Sequence, residues 1–185
     1  TAKNGKWIKG PGMDLLGPLK GWFNNVEFIA EDLGYHTPGV EQLLHDFGFP
    51  GMKVLEFGFD SREPSNHAPH TYTNNFICYV GTHDNSTIMG WLSAADKKDV
   101  AYSLEYLGLK DYEDFNWAMI RTGMSSVANL FVAQIQDYLG LDDSARINTP
   151  GTLGNNWKWR LKKNELNSKL ASKIARCTKM YERCR

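Results

Sequence analysis

Four short apolar runs, three of them leading into acidic residues, alternating with helix-like segments, constrain this chain more than any other feature. Val26–Ala30, Met52–Phe57, Phe76–Val80 and Leu130–Ile135 are rich in β-branched or aromatic residues and bounded by turn signals, which predicts buried strands. Between them, Thr37-Pro38 opens a segment with an apolar stripe that stops at Gly48, a helix with its N-cap, its N-terminal proline and its terminal glycine in place. Ala95–Leu107 and Phe115–Ser125 also read as helices, Asp14–Phe23 as a weaker one broken by Gly17, Pro18 and Gly21, and Glu165–Arg185 as the longest. Strand–helix alternation of this kind argues for an α/β fold with parallel strands and right-handed crossovers.

Two stretches fit neither pattern. Gly58–Asn75 is long and polar, with two prolines and two histidines, and Asp142–Trp159 carries Pro150 and two tryptophans. Long irregular loops in compact domains are often functional.

The strand ends hold the chemistry. The first run enters Glu31-Asp32-Leu33-Gly34, the third Gly81-Thr82-His83-Asp84-Asn85, and the fourth Gln136-Asp137. Acidic groups at the carboxyl ends of parallel strands point into one cleft, the catalytic face of a β/α barrel. Glu31 and Asp84 together suit glycosyl transfer, in which one carboxyl protonates the leaving oxygen and another stabilises oxocarbenium-like charge. Acidic residues in such places also cap helices and make turns.

Composition narrows the field. Lys plus Arg and Asp plus Glu are both 21, so net charge is zero and a nucleic-acid partner is not expected. Cys78, Cys177 and Cys184 have no metal-ligand spacing and form no disulfide framework, which fits a reducing, cytoplasmic setting. His67, His70 and His83 lack the spacing of a zinc site, and no glycine-rich phosphate loop follows a strand, so neither metal nor cofactor is expected. No apolar stretch is long enough to span a membrane. The basic C-terminal segment reads as a solvated helix face. The first residue is Thr1 rather than Met and no signal peptide follows, so the chain is expected to begin inside a longer reading frame. Aromatic residues reach 12%, enough to supply both a core and sugar-stacking platforms; Trp91 and Trp157 could serve either purpose.

Four motifs sharpen the picture. Phe28-Ile29-Ala30-Glu31-Asp32-Leu33-Gly34, Phe49-Pro50-Gly51-Met52-Lys53-Val54-Leu55, Gly81-Thr82-His83-Asp84-Asn85 and Arg146-Ile147-Asn148-Thr149-Pro150-Gly151 stand in the order found in the amylomaltases, the 4-α-glucanotransferases also called disproportionating enzymes. The chain resembles the C-terminal part of one, from about Lys6-Trp7 to Arg160-Leu161. The histidine–aspartate pair also resembles the wider α-amylase clan. The resemblance implies a (β/α)8 barrel with inserted subdomains and retaining double displacement on maltooligosaccharides and α-1,4-glucans. It implies that Glu31 is the general acid/base, that Asp84 is the carboxylate that stabilises the transition state, and that His83, His70 and Asn148 contact sugar.

The family's nucleophilic aspartate lies on strand four in an Arg-x-Asp-His motif, which is absent here. A barrel needs about 250 residues, so residues 1–185 are expected to be the C-terminal half, strands five to eight, closed by a helix at about 165–185. Such a piece is expected to be inactive alone, and to pair with a missing N-terminal half or associate with itself. A non-catalytic glucan-binding half-barrel and an α-amylase-clan hydrolase are the alternatives.

Overall fold

The computed structural model describes residues 2–34 and 37–184. Its main elements are α1 (Met13–Trp22), α2 (Pro38–Phe47), β1 (Gly51–Val54), β2 (Phe76–Tyr79), α3 (Ile88–Ala94), α4 (Lys97–Leu107), α5 (Phe115–Ser125), β3 (Leu130–Val132), α6 (Ile135–Leu139) and α7 (Ser168–Met180). Packing divides them into two units, Thr1–Gly51 and Met52–Arg185.

In the first unit α2 forms where local signals direct it. Thr37 Oγ1 accepts from Val40 N–H at 3.4 Å, Pro38 is the first helical residue, and Gly48 turns left-handed with φ 67°. That φ is open to glycine at little cost. α1 packs on α2, and Lys20 Nζ donates to the Phe47 carbonyl at 3.0 Å, a cation at a helix C-terminus. Phe49 lies edge-on to Phe47 at 4.2 Å and stacks on Phe28 at 5.0 Å.

Val26–Ala30, expected as the first strand, is not one. Ala30 N–H donates to the Pro50 carbonyl at 2.9 Å, which lays the run beside the approach to β1. Val26 and Ile29 stay 53% and 48% exposed. A strand is stabilised by a ladder and by burial of its faces, and this run lacks the burial.

The second unit carries a sheet of order β1-β2-β3, with β2 and β3 parallel and Ile77, Cys78 and Tyr79 in register with Leu130, Phe131 and Val132. The chain between β2 and β3 passes through α3, α4 and α5, as a parallel pair requires. The core joins Leu55, Phe59, Cys78, Val80 and Ile88 to Phe115, Met119, Ile120 and Met124. Gly123 lets α5 approach β3: a Cβ there would collide with the Phe131 ring. Arg183, just beyond α7, donates to the carbonyls of Met124, Ser126 and Ala128 and so ties the chain's end to the end of α5.

Several boundaries differ from expectation. The second run is strand only to Val54, then a tight 3-10 turn, Leu55–Gly58, that buries Leu55 and Glu56. The fourth run is strand only over Leu130–Val132, and α6 begins at Ile135. Asp137 is therefore a helical residue rather than a strand-end acid, and it is buried. The segment expected as one helix from Ala95 starts at Lys97, capped by Asp96, and α3 precedes it. α5 spans Phe115–Ser125 as the pattern predicts. No helix among the described residues is long and apolar enough to cross a membrane.

Candidate functional site

The turn after β2 is built from its own polar side chains. Asn85 Oδ1 accepts from Thr82 N–H at 2.9 Å and from Thr82 Oγ1 at 2.7 Å, while the Thr82 hydroxyl oxygen accepts from Asp84 N–H at 3.2 Å. Gln134 Nε2, just past β3, donates to the Thr82 carbonyl at 3.1 Å. α3 then starts at once, with Thr87 as its cap. This closure turns His83 and Asp84 outward; their side chains are 55% and 47% exposed.

A second loop, 142–160, is stitched to that turn. Asp143 accepts from Thr87 N–H at 2.9 Å and from Ser86 Oγ at 3.0 Å. The Arg146 guanidinium donates to the Asp84 carbonyl at 2.6 Å, the Asn148 carbonyl at 2.9 Å and Ser86 Oγ at 3.3 Å. Asn148 Nδ2 donates to Asp84 Oδ1 at 2.6 Å, and His83 Nε2 lies 3.3 Å from the same oxygen. Trp157 N–H donates to the Ile147 carbonyl at 2.7 Å, and the Trp157 ring lies 5.1 Å from that of His83. Asp84, His83 and Asn148 thus form one cluster, with a half-exposed indole beside it. An accessible carboxylate fixed by an amide donor can stabilise positive charge that develops in a bound sugar. In the same loop a polar cleft of about 570 Å³ is walled by Arg146, Thr149, Asn156, Lys158 and Trp159. The larger cavity, about 690 Å³, lies elsewhere, among α4, α5 and α7, and none of the strand-end acids lines it.

The other expected residues each have their own surroundings. His70 sits in a short 3-10 turn; its N–H and Nδ1 both meet the Tyr106 hydroxyl, at 3.2 and 3.1 Å. Glu31 belongs to the first unit, is exposed, and accepts from Leu33 N–H at 2.7 Å, a bond within its own turn. Trp91 packs into the core against Phe59 and Phe115. Among the described residues no group of three His, Cys, Asp or Glu is placed to hold a metal ion.

Beneath the turn lie two buried carboxyls that the strand-end pattern did not single out for what they do here. Glu56 follows β1, and its N–H donates to the Val80 carbonyl at 3.2 Å. Burial pushes its carboxyl well above the ordinary carboxylate range; Asp137 and Asp143 add to the rise and Arg146 opposes it. Burial pushes Asp137 up to about 6, against hydrogen bonds from the Ile88 and Gln134 backbone that favour the anion. Asp137 Oδ1 accepts from Ile88 N–H at 2.8 Å, at the start of α3. Asp143 and Arg146 were likewise not assigned a role: Arg146 opens one of the four motifs, but nothing in the sequence shows that it reaches Ser86 and Asp84. For Glu56 there was a signal: an acid inside an apolar strand run.

The sequence profile described as 4-alpha-glucanotransferase matches residues 1–167. The 4-alpha-glucanotransferase of Clostridium butyricum is 45% identical over 185 residues, covering 100% of this chain and 38% of that protein. That of Streptococcus pneumoniae, strain TIGR4, is 41% identical over 184 residues, covering 99% of this chain and 36% of that protein. Among solved structures, the amylomaltase from Streptococcus agalactiae in complex with acarbose superposes with a TM-score of 0.92 at 37% identity, covering 98% of this chain and 37% of that one. The chain thus spans somewhat more than a third of the length of these relatives.

Proposed function

This chain belongs to the 4-alpha-glucanotransferase family, and from that premise we propose that it is the C-terminal portion of an amylomaltase-like catalytic barrel. The protein it belongs to moves α-1,4-glucan segments between maltooligosaccharides with retention, in the cytoplasm. In this reading residues 1–185 supply the region of strands five to eight, with β1, β2 and β3 as the last three; Val26–Ala30, irregular here, would pair as strand five only where the rest of the barrel covers it. The remaining strands come from a barrel half beyond these residues, or from self-association.

The reaction divides the work as follows. A carboxylate from the rest of the protein attacks the anomeric carbon, and the glycosidic C–O bond breaks. Glu31 gives its proton to the leaving oxygen. The glycosyl–enzyme is then opened by a sugar hydroxyl, whose proton returns to Glu31. The Asp84 carboxylate offsets the oxocarbenium-like charge in both transition states, while Asn148 and His83 hold it and meet sugar hydroxyls. His70 contributes a further sugar contact. Trp157, beside His83, offers a face for the acceptor that must outcompete water. Acarbose bound to the Streptococcus agalactiae relative fits a saccharide site.

The observation that carries this reading is the Asp84 cluster, an exposed carboxylate fixed by Asn148 at 2.6 Å with His83 at 3.3 Å. The test is disproportionation of maltotriose by the full-length protein, with products resolved by chromatography. Glu31→Gln should lower the rate on the order of 10²–10⁴-fold. Asp84→Asn should lower turnover comparably while leaving maltotriose binding largely intact, because its work is done in the transition state. Activity within tenfold of wild type for either variant would refute the roles. Release of glucose and maltose without longer products would favour a hydrolase.

A further inference from the structure

Glu56 takes no part in the chemistry above, yet it is a buried acid that lies against the turn displaying Asp84. It is 6% exposed, and among the described residues its Oε1 is buried without a hydrogen-bond partner. That oxygen lies against Gly81: a Cβ built there would stand 2.9 Å from it, and 3.2 Å from the Cβ of Asn85. Gly81 opens the turn, and Asn85 closes it through Thr82. Glu56 thus fills the space under the turn, and the absence of a side chain at Gly81 makes room for it.

The charges facing Glu56 are Asp137 on α6, and Asp143 and Arg146 in loop 142–160. Two of the three are acids. The third, Arg146, already spends its donors on Asp84, Asn148 and Ser86. An anion in this place would have no hydrogen bond to its Oε1 and two negative neighbours. It would also draw Arg146 away from the carbonyls that join the two loops.

We propose that Glu56 is a positioning residue that, held as the neutral acid, forms the floor under Gly81 and Asn85 and fixes the turn presenting His83 and Asp84 to the glucan. This deepens the transferase reading and rests on it. The proton on Glu56 makes the site sensitive to alkali: its loss places charge beneath the turn and loosens the Arg146 clamp.

The experiment uses the full-length protein, with maltotriose as substrate, over a range of pH. Glu56→Gln keeps the volume and the neutral state. It should keep kcat within about threefold of wild type at neutral pH and extend activity on the alkaline limb. Glu56→Ala removes the floor and should lose about tenfold or more in kcat, with a smaller change in KM. Infrared difference spectra of wild type against Glu56→Gln should show a protonated-carboxyl band at neutral pH that the variant lacks. A Glu56→Gln protein that is folded by circular dichroism but as impaired as Glu56→Ala overturns the proposal, as does an unchanged alkaline limb or a missing band. If wild type fails to disproportionate maltotriose, the transferase reading falls, and the infrared band still decides the state of Glu56.

Discussion

Two stretches of similar design, an apolar run followed by an acidic turn, end in different physical states. Phe76–Val80 is a strand over most of its length, with Ile77, Cys78 and Val80 all buried and β3 in register beside it. The turn that follows is cross-braced by a second loop through Arg146, Asn148 and Asp143. Val26–Ala30 has similar residues but is irregular, leaves Val26 and Ile29 half exposed, and ends in a Glu31 turn closed on its own backbone. Side-chain type suits a residue to a strand; neighbours on the edges and faces make it one. The first unit as a whole shows the same shortage, with Trp7, Ile8 and Trp22 at least 75% exposed.

The largest effect expected from this difference is on stability. Ile77→Ala in the full-length protein should cost about 2–5 kcal/mol, the range for emptying a packed aliphatic site. Ile29→Ala should cost a comparable amount there if the rest of a barrel covers the run, but about 0.5 kcal/mol or less in the 185-residue chain. Urea unfolding of both forms measures this. An Ile29→Ala variant that is harmless in the full-length protein would end the strand-five reading.

A second, somewhat smaller effect concerns what anchors α3 behind the Asp84 turn. Asp137 titrates at about 6 in the folded chain against an ordinary 3.8, because burial disfavours its anion. The folded state therefore keeps this proton to a higher pH than the unfolded state does. Stability from this group is full below about pH 4 and is lost as pH rises to about 6, by up to about 3 kcal/mol. Asp137→Asn retains an oxygen for Ile88 N–H and carries no charge, so the slope should become shallower by Asp137's share, leaving the part of the same sign that buried Glu56 contributes. Unfolding midpoints between about pH 4 and 7 report it, and an unchanged slope would show that another group sets it.

The same contrast explains how far the sequence could be read. α2 and α5 were legible because their signals are local: Thr37, Pro38 and Gly48 delimit α2, and the apolar pattern defines α5. The parallel pairing of β2 and β3 followed from alternation, and Asp84, His83 and Asn148 from motifs whose spatial meeting the structure supplies. The first strand was misjudged because β-branched and aromatic residues do not by themselves supply the pairing and burial a strand needs, and this run lacks the burial. Asp137 was misplaced because an apolar run of six cannot tell a short strand running into a helix from a longer strand. Glu56 and Arg146 were unread because their roles depend on residues far along the chain, Gly81 and Asp137 for one and Asp84 for the other.

The smallest expected effect separates structure from chemistry at Glu31. Among the described residues its carboxylate accepts from Leu33 N–H at 2.7 Å, a bond that is exposed and local. A glutamine oxygen can accept the same bond, so Glu31→Gln should move stability by less than about 0.5 kcal/mol. Asp84→Asn is different. Asn148 and His83 both address Oδ1, and exchanging a charged acceptor for a neutral one there should cost about 1 kcal/mol. Unfolding curves of the two variants, set beside their transfer rates, test this directly. An unchanged midpoint with lost activity makes Glu31 a participant in proton transfer. A midpoint lowered by about 1 kcal/mol or more would make it a holder of its own turn, and would remove the ground for assigning it the acid/base role from rate loss alone.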